Sequence, residues 1–277
     1  MIDKLFLRKK IEEFLEEDIG YCDITTDSLD LSKDVKAVFV AKESLVVAGL
    51  DFALEVFNVI DGNVKFEKFK EEGQKVEKGE ILASVEGNGK SILKGERLAL
   101  NILQRLSGIA TNTKMYVEAL SGSNSYILDT RKTTPGFRAF EKYAVRVGGG
   151  KNHRFALYDM VMLKDNHIKM AGSIKEAVKQ VKNKVSPMVK IEVEVSNFEE
   201  FKEAVDLEVD IIMLDNMSLE EIREAVKINN GKKKLEVSGN VTLENIRKYA
   251  ETGVDFISSG ALIHSARWVD ISLKFID

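Results

Sequence analysis

Beyond about residue 122 the chain repeats one unit, and this constrains the fold more than any other feature: a short β-rich run, one or two polar residues, then an amphipathic helix. The runs fall at 125–129, 160–163, 190–195, 210–214, 234–237 and 255–257. Ser173, Asn197 and Ser218 each stand three residues before a Glu (Glu176, Glu200, Glu221). At that spacing each side chain satisfies the other's free backbone N–H at a helix start. Thr242 is read as the next helix start, without that Glu. Short strands alternating with single helices require right-handed crossovers and a parallel sheet. A closed barrel and an open sheet both satisfy the pattern. Six strands, with a seventh read at 144–147, fall short of the eight of a full barrel. The expected class is therefore α/β, as an irregular, incomplete (β/α) barrel.

Residues before about 100 are patterned differently. Segments 34–49 and 64–93 alternate as antiparallel strands do, around a helix at 51–60 and behind an amphipathic surface helix at 1–18. This predicts an N-terminal α+β domain over 1–105 and a barrel domain over 106–270. A helix read from Gly95 to Leu120 joins them. Arg97 then lies near its amino end, where the helix dipole does nothing for a cation, and this points to a partner elsewhere.

Composition removes several function classes. A net charge of -4 offers no basic footprint for nucleic acid. No apolar run approaches the ~20 residues of a membrane span. The first residues mix Arg8, Lys9 and Lys10 with Glu12, Glu13, Glu16 and Glu17, unlike the uncharged core of a signal peptide. A single cysteine, Cys22, read as structural, excludes an intrachain disulfide and multi-Cys metal sites, and fits the cytoplasm. The average charge conceals a local excess: nine Lys or Arg against three acids between Arg131 and Lys169. The ordinary explanation of a charge run is a solvated face. Its position along the fold argues otherwise.

Ligands of α/β barrels bind at the carboxyl ends of the strands. Here those ends read Asp129-Thr130-Arg131-Lys132, Lys164-Asp165-Asn166-His167, Glu192 and Glu194, Asp215-Asn216, Ser238-Gly239, and Ser258-Ser259-Gly260. Cations first suit a planar carboxylated substrate, because guanidinium pairs bidentately with carboxylate. Glu194 and Asp215 suit ribose hydroxyls or Mg²⁺, which prefers oxygen ligands. Ser-Gly ends beside helix N-termini suit a terminal phosphate. Glu192 and Glu194 share a strand face, so either is also read as a core acid paired with a lysine. His264 is read as a structural histidine.

Two short motifs mislead. Gly89-Lys90-Ser91 has the ending of a phosphate-binding loop, but Ser84 stands where glycine is required and the segment reads as part of an antiparallel hairpin. Residues 72–79 have the half-motif of lipoyl and biotinyl carrier domains, without the lysine hairpin that carries the cofactor.

Eight segments, in order, resemble the quinolinate phosphoribosyltransferase family: GERLALNILQRLSGIAT (95–111), DTRKTTPGFR (129–138), YAVRVGGGKNHR (143–154), KDNH (164–167), EVEV (192–195), LDNM (214–217), EVSGNVTLENI (236–246) and SGALIHSARWVDISL (259–273). The resemblance implies that 271–277 completes the N-terminal sandwich. It implies transfer of phosphoribose from 5-phosphoribosyl 1-pyrophosphate to quinolinate with decarboxylation, using Mg²⁺. It also implies a homodimer in which Arg97 serves the neighbouring subunit's site. By the same resemblance Arg131, Lys132, His153 and Arg154 hold the quinolinate carboxylates. Lys164, Glu194 and Asp215 meet phosphoribosyl pyrophosphate and Mg²⁺, with Lys132, Glu194 and Asp215 as the catalytic set. Ser238, Gly239 and Gly260 hold the 5-phosphate. Ala156 and Ile263 depart from the family pattern at positions outside this set. A non-decarboxylating nicotinate phosphoribosyltransferase or a molybdenum-operon-associated relative of unknown substrate is the nearest rival, and the cations Arg97, Arg131, Lys132 and Arg154 together favour a dicarboxylate.

Overall fold

The computed structural model describes residues 2–31 and 33–276. Met1, in the expected first helix, and Asp277, at the end of the expected tail strand, lie outside the described residues. Along the chain run α1 (Lys4–Ile19), α2 (Ile24–Asp27), β1 (Asp34–Ala41), β2 (Leu45–Val46), α3 (Leu50–Ile60), β3 (Lys65–Lys68), β4 (Lys75–Val76), β5 (Ile81–Asn88) and α4 (Gly89–Ala119). Next come β6 (Tyr126–Leu128), α5 (Arg138–Val147), β7 (Val161–Leu163), α6 (Asp165–Ala171), α7 (Ile174–Lys182), β8 (Ile191–Val195), α8 (Phe198–Val205) and β9 (Ile211–Asp215). The chain ends with α9 (Leu219–Asn229), β10 (Lys234–Ser238), α10 (Ile246–Ala250), β11 (Phe256–Ser258), α11 (Ala261–His264) and β12 (Ile271–Ile276). Among the described residues no helix is long and apolar enough to cross a membrane.

The chain divides into two compact units. One comprises 1–114, 134–149 and 266–277, and the other 115–133 and 150–265. In the first, β12, β1, β5 and β3 form an antiparallel sheet in that order, with the tail pairing Ile271 to Ala41 and Ile276 to Lys36. Its apolar face buries Phe39, Val85 and Leu82 with Phe57 of α3.

Five expectations fail in this unit. The joining helix starts at Gly89 rather than Gly95, because Asn88 Oδ1 accepts the Lys90 N–H and caps it. Gly95 is a packing position: a Cβ there would lie 2.8 Å from the Phe57 ring. Arg97 is therefore well inside the helix and exposed, so the argument from its amino end does not hold. Gly89-Lys90-Ser91 sits between a strand and a helix, not within a hairpin. Ser84, and Ser91 Oγ donating to Asp61 Oδ2 at 3.0 Å, are what remain against a phosphate loop. The seventh strand read at 144–147 is helical, part of α5. Phe140 and Ala144, one turn apart, are both buried in the first unit, Phe140 against Phe14 and Phe52. Cys22 is exposed, against the structural reading.

The second unit is the expected parallel sheet, ordered β6-β11-β10-β9-β8-β7. Among the described residues no pairing joins β6 to β7, so the barrel is open as well as short of strands. Ser173, Asn197 and Ser218 cap α7, α8 and α9 by accepting the N–H of Glu176, Glu200 and Glu221. Thr242 does not start a helix; a turn over 243–245 intervenes and α10 begins at Ile246.

Candidate active site

In β8 the period of two places Ile191, Val193 and Val195 on one face and Glu192 and Glu194 on the other. Parallel register carries that second face across the sheet: Met162 lies beside Glu192, Glu194 beside Met213, Met213 beside Glu236, and Asp215 beside Ser238. The face is thus polar where the strands end and acidic one row below. Above it lies a cavity of about 860 Å³, within the range of small-molecule sites.

That cavity gathers most of the residues named from sequence: Arg131, Lys132, His153, Arg154, Lys164, Glu194, Asp215, Ser238, Gly239 and Gly260 line it together. Arg97 belongs to the other unit and does not line it. The cation-rich stretch is divided. Arg131, Lys132, Arg154 and Lys164 line the cavity, whereas Arg138, Lys142 and Arg146 sit on α5 in the first unit. Lys151 lies 3.2 Å from the centre of the Tyr126 ring.

Lys164 Nζ donates to Glu194 Oε2, and Asp215 Oδ2 accepts from Asn216 Nδ2 at 2.8 Å. These bonds use one oxygen of each carboxylate. Two carboxylates at neighbouring strand ends are a hard-oxygen donor set, which fits Mg²⁺. Burial first, and then the nearby Arg131, hold the Arg154 pKa below the usual guanidinium value. Two cations held close together in a partly dry site favour an anion between them.

The cavity floor is different. Glu192 and Glu236 are fully buried, and none of their carboxylate oxygens has a hydrogen-bond partner. His153 Nε2 approaches Glu192 Oε2 at 3.1 Å and Glu236 Oε1 at 3.6 Å, close enough for an ion pair but not aligned as a hydrogen bond. Burial, reinforced by the charge of Glu192, pushes the Glu236 pKa up to about 8. Glu192 is thus the core acid of the strand, although its neighbour is a histidine rather than a lysine. Glu194 is the member exposed to the cavity.

Two glycines leave room for what lies against them. A Cβ on Gly260 would come within 2.7 Å of Lys132 Cδ, so this glycine lets the lysine cross the end of β11. Gly239 has φ 95°, and a Cβ there would run into the Asn216 amide. The expected helix N-termini are weaker than the sequence suggested: α10 begins only at Ile246, and α11 has four residues.

Sequence reasoning placed Thr130 and Asn216 at the strand ends without giving them a role, and missed Asn240 and His264; all four line the cavity. Asn216 and Asn240 have φ of 55° and 49°, and Asn240 Nδ2 donates to Asn216 Oδ1 at 3.1 Å. The place of Asn240, two residues beyond β10, was a usable signal. His264, read as structural, is exposed, with Nδ1 2.9 Å from Ser265 Oγ. The two-residue gap between it and the buried Leu262 puts it on the outward side of a short helix.

Family models described as the N-terminal and C-terminal domains of quinolinate phosphoribosyl transferase match residues 23–107 and 109–274. A Synechocystis protein described as a probable nicotinate-nucleotide pyrophosphorylase (carboxylating) is 46% identical over 269 residues, covering 96% of this chain and 91% of that protein. A Bacillus subtilis protein of the same description is 44% identical over 272 residues, covering 98% and 94%. The solved nicotinate-nucleotide pyrophosphorylase of Francisella tularensis superposes with a TM-score of 0.95 at 42% identity, covering 100% of this chain and 98% of that one.

Proposed function

The chain belongs to the quinolinate phosphoribosyltransferase family, and from that premise we infer that it transfers phosphoribose from 5-phosphoribosyl 1-pyrophosphate to quinolinate with decarboxylation. The products are nicotinate mononucleotide, pyrophosphate and carbon dioxide, and the step belongs to NAD biosynthesis. The observation that carries the site assignment is one cavity in which Arg131, Lys132, Arg154 and Lys164 face Glu194 and Asp215.

In this reading Arg131, Lys132 and Arg154 pair with the two quinolinate carboxylates. Ser238, Gly239 and Gly260 hold the 5-phosphate, in a backbone that side chains would obstruct. The C1–pyrophosphate bond breaks and leaves positive charge on the ribose, which Glu194 and Asp215 stabilise electrostatically. The ring nitrogen of quinolinate then bonds to C1. The bond to the adjacent carboxylate carbon breaks, its electron pair stays on the ring carbon beside the cationic nitrogen, and that carbon takes up a proton. Glu194 and Asp215 would hold Mg²⁺, which would supply neutralisation of the charge on the departing pyrophosphate. Lys164, tied to Glu194, keeps that carboxylate directed along the cavity wall.

We place the enzyme in the cytoplasm as a homodimer, with Arg97 reaching the neighbouring subunit's cavity. Support comes from the exposure of Arg97 and the family pattern around it. Mixing Arg97→Ala with Lys132→Ala subunits is expected to restore roughly a quarter of wild-type activity, since half of randomly mixed dimers carry one intact site. Activity no higher than the sum of the separate variants, with subunit exchange verified by native mass spectrometry, would place Arg97 outside the neighbour's site.

The central test is turnover of quinolinate and nicotinate side by side with phosphoribosyl pyrophosphate and Mg²⁺. Quinolinate should react with release of carbon dioxide and pyrophosphate. Nicotinate should react poorly, because part of the cation set would lack a partner. Equal turnover of the two acids would overturn the assignment of that set to a dicarboxylate.

A further inference from the structure

β9 and β10 run side by side with Asp215 beside Ser238, and an asparagine stands just past the end of each. Asn216 and Asn240 both take a left-handed backbone, with φ of 55° and 49°. Glycine adopts that conformation most readily, and asparagine is among the few side chains that follow it. The backbone alone would be served as well by glycine, so the amides are what needs an account.

Asn216 bonds in three directions. Its backbone N–H donates to the Ser238 carbonyl at 3.0 Å. Its Nδ2 donates to Asp215 Oδ2 at 2.8 Å, and its Oδ1 accepts from Asn240 Nδ2 at 3.1 Å. The direction of this chain follows from one end. An ionised carboxylate only accepts, so Asn216 must turn its NH₂ to Asp215 and its oxygen to Asn240, which must then present its own NH₂. Asn240 is held in turn by Asn245, whose Nδ2 donates to the Asn240 carbonyl at 2.9 Å while its Oδ1 accepts the Thr242 N–H at 2.8 Å. A Cβ on Gly239 would lie 2.2 Å from Asn216 Oδ1, so the turn at 238–240 packs directly onto the amide.

We propose that Asn216 is a positioning residue whose amide fixes the Asp215 carboxylate relative to the turn at 238–240, so that a 5-phosphate seated in that turn brings the ribose to a carboxylate already aimed at it. The bond from Asn216 occupies Asp215 Oδ2 and leaves Oδ1 for the charge that develops on the ribose. Asn216 acts through Asp215 rather than on the reacting atoms. The proposal rests on the assignments of Asp215 to the ribose and of Ser238 and Gly239 to the 5-phosphate made above.

The test is a set of double-mutant cycles on the full-length protein. Single-turnover rates at saturating substrates are measured beside phosphoribosyl pyrophosphate affinity from calorimetry. Asn216→Gly removes the amide and keeps the left-handed backbone accessible. It should lower the rate about tenfold, the scale of one hydrogen bond to a charged group, with affinity within about twofold of wild type. Beside Asp215→Ala the same change should cost less than about twofold in rate, because its effect passes through that carboxylate. Asn240→Gly should lower the rate roughly threefold alone and add nothing to Asn216→Gly, since it acts only by orienting that amide. Losses that multiply in either double variant, or an Asn216→Gly protein with weakened affinity and an intact rate, would overturn the positioning role and leave Asn216 as a prop for the turn. An unchanged rate in Asp215→Ala would overturn the parent assignment as well, a distinct outcome. If Asn216→Gly does not fold, Asn216→Asp takes its place, keeping an acceptor for Asn240 and losing the donor to Asp215. Its loss in rate should likewise disappear beside Asp215→Ala, and an equal loss in both backgrounds would overturn the proposal.

Discussion

Each unit buries carboxylates completely, and treats them in opposite ways. In the first, Glu141 accepts from Arg105 Nε at 3.1 Å and Nη2 at 2.6 Å, and from the Thr134 N–H at 2.8 Å and hydroxyl at 2.9 Å. Glu72, half-buried in the same unit, accepts the N–H groups of Gly49 and Leu50 and the hydroxyl of Tyr143. In the second unit Glu192 and Glu236 have no hydrogen-bond partner on any oxygen. A saturated buried charge holds a fold together. An unsaturated one costs stability and persists where it does something else.

The largest effect expected from this contrast is on Glu141. Glu141→Ala leaves Arg105 and Thr134 without their acceptor, and should cost about 3–5 kcal/mol in denaturant unfolding. A loss below about 1 kcal/mol would mean that saturation is not what keeps this acid buried.

Next comes the pH dependence of the unsaturated pair. Glu236 holds its proton more tightly folded, with its pKa pushed up to about 8 from an ordinary 4.5, so the folded state binds more protons than the unfolded one across that window. Its contribution to stability is therefore present at pH 4.5 and lost as pH rises toward 8. Glu236→Gln should remove that slope, with a difference from wild type on the order of 4 kcal/mol at pH 8. Parallel stability curves for the two proteins would break the contrast.

The third expectation concerns Glu194, which shares a strand face with Glu192 but opens to the cavity. Glu194→Gln should lower kcat on the order of a hundredfold, about 2.7 kcal/mol in the barrier, while the unfolding midpoint barely moves. A large stability change with intact kcat would assign it to the scaffold. The smallest effect belongs to Ser173, whose hydroxyl accepts the Glu176 N–H at 3.1 Å at the start of α7. Ser173→Ala should cost about 1 kcal/mol and leave turnover unchanged.

Most of the cavity could be named from the chain because parallel strands deliver the residues after each run to one end of the sheet. Lys132, Glu194 and Asp215 were found by that rule, which also placed Asn216, and Asn240 could have been, since it stands two residues beyond β10. His264 escaped it because α11 is too short to carry a readable pattern. His153 was identified as a residue of the site, but its orientation was out of reach. Nothing near it in sequence says that its ring faces two acids from β8 and β10.

The sequence by itself determined the alternation of strand and helix, the helix starts at Ser173, Asn197 and Ser218, and the face on which Glu192 and Glu194 lie. Each depends on neighbours within one turn or one pleat. Only the tertiary structure decided that 134–149 joins the first unit, that Gly95 lies inside a helix against Phe57, and that Gly260 gives way to Lys132. It also decided that Glu192 and Glu236 meet at one histidine. These depend on groups far apart along the chain that come within contact distance only when the core packs, and close packing sets which atoms meet there.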